Sequence, residues 1–199
     1  MPVIDLIRHG EVETRGLLLG RTDMALSARG WAQFEKQTAN RQWSAIMSSH
    51  LRRAREPAEQ LAGRLAIPVV IDSDWAELDF GAWDGRELVE LRGNIAIAAQ
   101  LDAFYRNGDA CGAPQGENWQ QLRERVACAL RRLAERSSED RVLVVSHGGP
   151  IRTAIAIACD IAFDRTWALR IDYATRVTLR LEHDEGGRLW GEIIEIVQP

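Results

Sequence analysis

The sequence predicts an α/β fold with a mostly parallel central sheet and one antiparallel edge. Three observations predict it. Short apolar, β-branched runs recur at residues 3–7, 45–48, 68–71 and 142–145, and read as buried strands. Stretches with helical patterning lie between them, and strands that alternate with helices imply crossover connections and parallel pairing. The last two runs, 176–182 and 188–197, flank Glu185-Gly186-Gly187 and read as an antiparallel hairpin.

The first run, 3–7, is bounded by Pro2 and the Gly10 turn, so Arg8 and His9 stand at its carboxyl end. In open α/β sheets ligands bind at that end. A cation beside an imidazole suits an anionic substrate and a nitrogen nucleophile; a solvated Arg-His pair is the plainer alternative. Residues 12–24 form a loop in which Gly16 and Gly20 permit tight turns. Its Arg15 and Arg21 face either an anion or water. Ser27 is an N-cap for a helix carrying Trp31, Phe34 and Thr38 at helical spacing.

After the strand 45–48, Ser49-His50-Leu51 turns into a helix running to about Leu65, with Arg52, Arg53 and Arg55 near its start. Cations at a helix N-terminus are unfavourable, and a bound anion would compensate them; at least one of the three is expected to splay into solvent. The strand 68–71 leads to a structured loop, 75–85, where Trp75, Phe80 and Trp83 surround acidic residues. A carboxyl such as Glu77 held against that apolar wall has its pKa raised and can act as a general acid; otherwise it is a surface carboxylate. Residues 86–107 read as helical and polar, a cap over the site. Residues 109–116 are a loop, too short to separate domains. Asn118 caps a longer helix whose Leu122, Val126, Ala129, Leu130 and Leu133 form one apolar face. The most apolar strand, 142–145, reads as central. It ends in Ser146-His147-Gly148-Gly149-Pro150 and enters a helix at 151–159 with Arg152 in its first turn.

Length and composition bound the rest. A chain of 199 residues, 46% hydrophobic, supports one well-packed domain over 1–199, with 86–117 as cap or insert. A net charge of -4 argues against a nucleic-acid or membrane surface while allowing a local basic pocket. Three cysteines without metal-like spacing fit a reducing compartment better than a disulfide framework. With no leader-like segment and no run of about 20 apolar residues, the expected localisation is cytoplasmic. A homodimer stays open.

In a parallel sheet the strand ends lie along one edge, so His9, Arg53 and His147 converge there with Glu77 on a nearby loop. Two histidines and a carboxylate could hold a metal. Guanidinium groups oppose a dication and suit a phosphate, so no metal and no cofactor are expected. There is no Gly-x-Ser-x-Gly elbow and no Gly-x-x-x-x-Gly-Lys-Ser/Thr loop.

Arg8-His9-Gly10-Glu11, Ser48-Ser49-x-Leu51-x-Arg53-Ala54, Glu77-x-x-Phe80-Gly81-x-Trp83-x-Gly85 and Ser146-His147-Gly148-Gly149 together resemble the four signatures of the histidine phosphatase superfamily, which includes the cofactor-dependent phosphoglycerate mutases. The resemblance covers nearly the whole chain. It implies a three-layer α/β/α sandwich of the phosphoglycerate mutase-like type. It implies that His9 is the nucleophile that becomes phosphohistidine, that Arg8, Arg53 and His147 bind the phosphoryl oxygens, and that Glu77 protonates the leaving oxygen and then activates water. Gly148, Arg15 and Arg21 are further substrate-binding candidates. The chain departs from the pattern at Val12 for threonine, Arg15 for a phosphate-binding asparagine, His50 for proline and Asp84 for glutamate. Arg15 or another loop residue takes over from the asparagine.

Within the superfamily the chain is most similar to α-ribazole phosphatases of cobalamin assembly. The marks are the loop 15–21, Gly30-Trp31-Ala32-Gln33, Leu78-Asp79-Phe80-Gly81-Ala82-Trp83 and the turn Pro114-Gln115-Gly116-Glu117. The expected partner is a small-molecule phosphate ester. The alternatives are a broad phosphomonoesterase or small mutase and, from another class, a catalytically idle phosphoprotein-binding module.

Overall fold

A computed structural model describes residues 1–106, 111–137 and 140–199. Six strands form one sheet: β1 (Val3–Arg8), β2 (Ala45–Ser48), β3 (Val69–Ile71), β4 (Arg141–Ser146), β5 (Arg176–His183) and β6 (Leu189–Val197), in the order β3-β2-β4-β1-β5-β6. The β2–β3, β2–β4 and β1–β4 pairs are parallel, whereas β5 pairs antiparallel with β1 and β6 antiparallel with β5. The mixed sheet is therefore the expected one, and β4 is central.

Helices α1 (Ala28–Thr38), α2 (Arg52–Leu65), α3 (Leu88–Gly93), α4 (Ile95–Arg106), α5 (Trp119–Ala134) and α6 (Gly148–Ala158) surround it. Successive strand side chains point to opposite faces, and β4 shows what that does. Val142 and Val144 pack into a core with Leu122 and Val126 of α5 and Ile151 and Ile155 of α6. Leu143 and Val145 pack into a second core with Phe34 of α1 and Ala58 and Leu61 of α2. Helices thus cover both faces of the sheet, and none among the described residues is long and apolar enough to cross a membrane.

The capping residues act as expected. Ser27 accepts the Gly30 N–H at 3.1 Å, and Asn118 forms a reciprocal capping box with Gln121. Two boundaries differ. The stretch 86–107 is not one helix: it divides at Asn94, whose side chain accepts the N–H groups of Ala96 and Ile97 at 3.1 and 3.3 Å and so starts α4. Asn107, Asp109 and Ala110, at the end of that stretch and the start of the following loop, lie outside the described residues. The second difference is that α6 begins at Gly148, not Ile151. Pro150 sits in its first turn, where a missing N–H breaks no helical hydrogen bond, so the chain becomes helical directly after His147 and Arg152 falls in the second turn.

One buried polar network ties the sheet together. Asp5 of β1 is fully buried and accepts hydrogen bonds from Trp43 at 2.7 Å, Arg141 at 2.9 Å, Thr178 at 2.6 Å and Arg176 at 3.1 Å. Burial pushes the Asp5 carboxyl up, but the Arg141, Thr178 and Trp43 hydrogen bonds outweigh it, and the group titrates below its ordinary value. Removing one partner of a buried pair typically costs about 3–5 kcal/mol. Asp5→Ala removes the acceptor shared by Trp43, Arg141 and Thr178 and one of two carboxylates on the fully buried Arg176, which keeps Glu195 at 2.7 Å. It should lose about 3 kcal/mol in urea unfolding, the low end of that range, and a loss below about 0.5 kcal/mol would show that the network is not holding the sheet. The stabilisation from Asp5 is complete above its unfolded pKa of about 3.9 and disappears as pH falls through its lower folded value. The variant should therefore lack that part of the wild-type acid dependence.

Candidate active site

The register of β1 against β4 builds the site. Arg8 pairs with Ser146, and the His9 N–H continues the ladder to the Ser146 carbonyl at 2.9 Å. His9 and His147 therefore emerge side by side, ring centroids 5.1 Å apart. The His9 Nδ1 lies 2.8 Å from the Gly10 carbonyl oxygen. A carbonyl only accepts, so Nδ1 carries the proton and Nε2 keeps its lone pair. Burial, then the charges of Arg53 and Arg8, hold the His9 pKa well below the ordinary histidine value. The imidazole is neutral near pH 7 and nucleophilic at Nε2.

His147 has the opposite polarity. Arg53 Nε donates to its Nδ1 at 3.2 Å, which puts the proton on Nε2, and this buried nitrogen has no partner. An unmet buried donor costs free energy, and an acceptor oxygen beside His9 would satisfy it. Burial and the Arg53 charge keep His147 neutral as well.

Arg8 is aimed by two contacts. Its Nη1 donates to the Ile171 carbonyl at 2.8 Å, and its guanidinium lies 4.4 Å over the Tyr173 ring; its buried Nε has no partner. Arg53 is fully buried and stands behind the histidines. Besides His147 it donates to the carbonyls of Thr22 at 2.8 Å and of Gly20 at 2.7 Å, so it holds the 19–22 loop while placing its charge beside both imidazoles. The other two arginines at the start of α2 face carboxylates of their own helix: Arg52 pairs with Glu56 at 2.7 Å, and Arg55 lies 3.9 Å from Glu59 with no hydrogen-bond partner at its Nε among the described residues.

Glu77 reaches the same cavity from its loop. Its Oε1 accepts the N–H groups of Leu78 at 2.9 Å and Gly149 at 3.1 Å, so the first turn of α6 orients it. A Cβ on Gly149 would stand 2.3 Å from that oxygen, whereas one on Gly148 would meet Arg8 and Glu77 only at 3.8 and 3.9 Å. The cavity of about 210 Å³ is lined by Arg8, His9, Glu77, Gly148 and Gly149, with Leu17, Leu18, Leu19 and Phe80 on one side. Tyr105 of α4 joins the lining from the 86–117 stretch, and Trp119 joins from α5. Trp75 and Trp83 are core residues instead.

The structure does not bring Arg15 or Arg21 to these groups. Arg15 is an exposed partner of Glu11. The Arg21 side chain faces Glu117 at 3.7 Å and Asp79 at 3.9 Å. The reason is Asp84, whose carboxylate accepts the N–H groups of Gly20, Arg21 and Thr22 at 2.7, 2.9 and 2.7 Å and fixes the loop with leucines on the cavity. Arg152 takes a place on the wall instead, stacked 4.4 Å over Trp167 and bonded to the carbonyls of Thr166 and Leu169. Its spacing of four from Gly148 puts both on one helix face, a signal present in the sequence. Trp167, Ile171 and Tyr173 come from the connection between α6 and β5, and no local pattern marks them.

The sequence model of the histidine phosphatase superfamily (branch 1) matches residues 4–191. This chain belongs to that superfamily. A bifunctional protein of Mycobacterium tuberculosis is 31% identical over 176 residues, covering 85% of this chain and 48% of its own length, so the chain spans about half of that relative. The adenosylcobalamin/alpha-ribazole phosphatase of Escherichia coli is 28% identical over 172 residues and 84% of each chain. The crystal structure of the alpha-ribazole phosphatase from Shigella flexneri superposes with a TM-score of 0.81 at 24% identity, over 96% of this chain and 94% of that one, which shows the fold.

In this histidine phosphatase chain, Gly149→Ala is expected to displace the Glu77 carboxylate. A misplacement of about 1 Å can cost on the order of 10²-fold in rate. Turnover of an alkyl phosphate should fall by about that factor while vanadate inhibition is retained. Wild-type turnover in the variant would place Glu77 outside the reaction.

Proposed function

We propose that the chain is a phosphomonoesterase that works through a phosphohistidine on His9. The observation that carries this reading is the His9 imidazole: buried and neutral, Nδ1 tied to a carbonyl, Nε2 free, beside an unpartnered His147 Nε2–H and the charges of Arg8 and Arg53. The Nε2 lone pair attacks phosphorus as the ester P–O bond breaks. Its electrons go to the leaving oxygen, which takes a proton from the Glu77 carboxyl. Water then attacks the phosphohistidine and gives a proton to the Glu77 carboxylate, and the P–N electrons return to Nε2. Arg8, Arg53 and His147 stabilise charge on the phosphoryl oxygens throughout.

For the organic part of the substrate, we read α-ribazole 5'-phosphate, with a place in cobalamin assembly and in the cytoplasm. The Escherichia coli relative supports this by its name over 84% of both chains. The aromatic lining from Tyr105, Trp119 and Trp167 suits a leaving alcohol that carries a planar ring. A mutase would instead return the phosphoryl group to a second phosphoglycerate, and product analysis separates the two.

Quenching with labelled substrate should trap an acid-labile phosphoenzyme that His9→Ala abolishes along with nearly all turnover. A label on serine, or normal activity in His9→Ala, would end this reading. Vanadate should inhibit and EDTA should not; activity lost to EDTA and restored by zinc, iron or manganese would mean a metal does the charge work. Glu77→Gln removes an acid whose contribution is typically about 10²–10⁴-fold. The burst rate should fall steeply for α-ribazole phosphate and less for p-nitrophenyl phosphate, whose leaving group departs without a proton. Equal losses for both would reduce Glu77 to a structural role.

A further inference from the structure

Glu77 sits on a loop, and loops do not hold a proton donor in place by themselves. The α5 residue Arg125 makes that loop rigid. Its Nη1 donates to the carbonyls of Asp74 at 2.8 Å and Ala76 at 2.6 Å, and its Nη2 donates to the carbonyl of Glu77 itself at 3.0 Å. The rest of the fork grips Glu117: Nε to Oε1 at 3.0 Å and Nη2 to Oε2 at 2.9 Å. Five contacts thus fix one guanidinium, whose side chain is 14% exposed. Glu117 also accepts the Asp79 N–H at 2.9 Å through Oε2, and its own N–H donates to the Asp79 carbonyl at 2.9 Å. The loop is clamped on both sides of the acid, at 74–77 and at 79. Burial pushes the Glu117 carboxyl up, but the Arg125 hydrogen bond and charge bring it below its ordinary value.

We infer that Arg125 and Glu117 are positioning residues for Glu77, setting the direction in which its carboxyl meets the leaving oxygen. Neither residue lines the cavity, and neither touches the phosphoryl site. The Arg125 charge also reaches His147, and Arg125→Lys keeps that charge, so the substitution changes the aim of Glu77 and leaves the phosphoryl field in place. This rests on the phosphohistidine reading and assigns two residues that it does not use.

The guanidinium geometry is the point of the device. A lysine keeps the charge, but it offers three donors on one atom and cannot span three carbonyls and a bidentate carboxylate. The test is the burst rate of Arg125→Lys over a series of aryl phosphates, from p-nitrophenyl to unsubstituted phenyl. General acid catalysis as a whole is worth about 10²–10⁴-fold, and a mis-aimed acid should forfeit part of it. We expect about a tenfold loss for phenyl phosphate, less than about threefold for p-nitrophenyl phosphate, and vanadate inhibition within about threefold of wild type. In the double variant with Glu77→Gln, Arg125→Lys should add no further leaving-group-dependent loss, because the acid it aims is gone. Equal losses across the series, a matching loss of vanadate affinity, or additive leaving-group effects in the double variant would each overturn the inference. Glu117→Gln loosens the same clamp from the other side and should steepen the same dependence; if Arg125→Lys does not fold, this variant decides, and an unchanged slope in it refutes the assignment. Absence of label on His9 in the wild type would instead refute the underlying reaction, so the two failures are distinguishable.

Discussion

The parallel pairing of β1 with β4 is the constraint on which the site depends. Residue-for-residue register from Val3 opposite Arg141 to Arg8 opposite Ser146 makes both strands end at the same level. The two residues that follow are both histidines. A slip of one residue would turn every side chain of β1 to the other face, placing Ile4 and Leu6 where Asp5 and Ile7 now lie and separating the two imidazoles. The buried hydrogen bonds of Asp5 to Arg176 and Thr178 on β5 resist that slip, because in any other register a charged group would be buried without partners.

The electrostatics of the site follow from what the arginines lack. Arg8, Arg53 and Arg152 satisfy donors with main-chain carbonyls of Ile171, Gly20, Thr22 and Leu169. None forms an ion pair with a carboxylate among the described residues. Carbonyl oxygens orient a guanidinium without cancelling its charge, so the cavity keeps a positive field that suits a dianion. Burial lowers the pKa of Arg53 and of Arg152, and the Arg8 charge adds to it for Arg152. The same field and burial keep both histidines neutral, which leaves a lone pair on His9 and a lone proton on His147. Glu77, fastened by backbone N–H groups, supplies the one carboxylate on the cavity wall among the described residues.

Much of this architecture was legible in the sequence because it is written in short-range patterns. The apolar runs, the caps at Ser27 and Asn118, the apolar face of α5 and the strand-end motifs Arg8-His9 and Ser146-His147 each reside in a few contiguous residues. Their periods of 2 and 3.6 are set by local backbone geometry. Where local signals compete, the reading was coarser. Asn94 is both a tolerable helix residue and a cap, and Pro150 is both a helix breaker and a good first-turn residue, so the boundaries of α4 and α6 shifted.

The sequence by itself determined the alternating α/β order, the superfamily and the residues at the strand ends. Only the tertiary structure decided which arginines serve the cavity. Arg15 and Arg21 lie on a glycine-rich loop near His9 in the chain, yet Asp84, more than sixty residues away, turns that loop so that leucines face inward. Arg8 is aimed by Ile171 across a separation of 163 residues, and Glu77 is held by Arg125 across 48. Side-chain direction at such sites is the outcome of packing and hydrogen bonding between distant segments, which leaves no period or spacing in the local sequence to read.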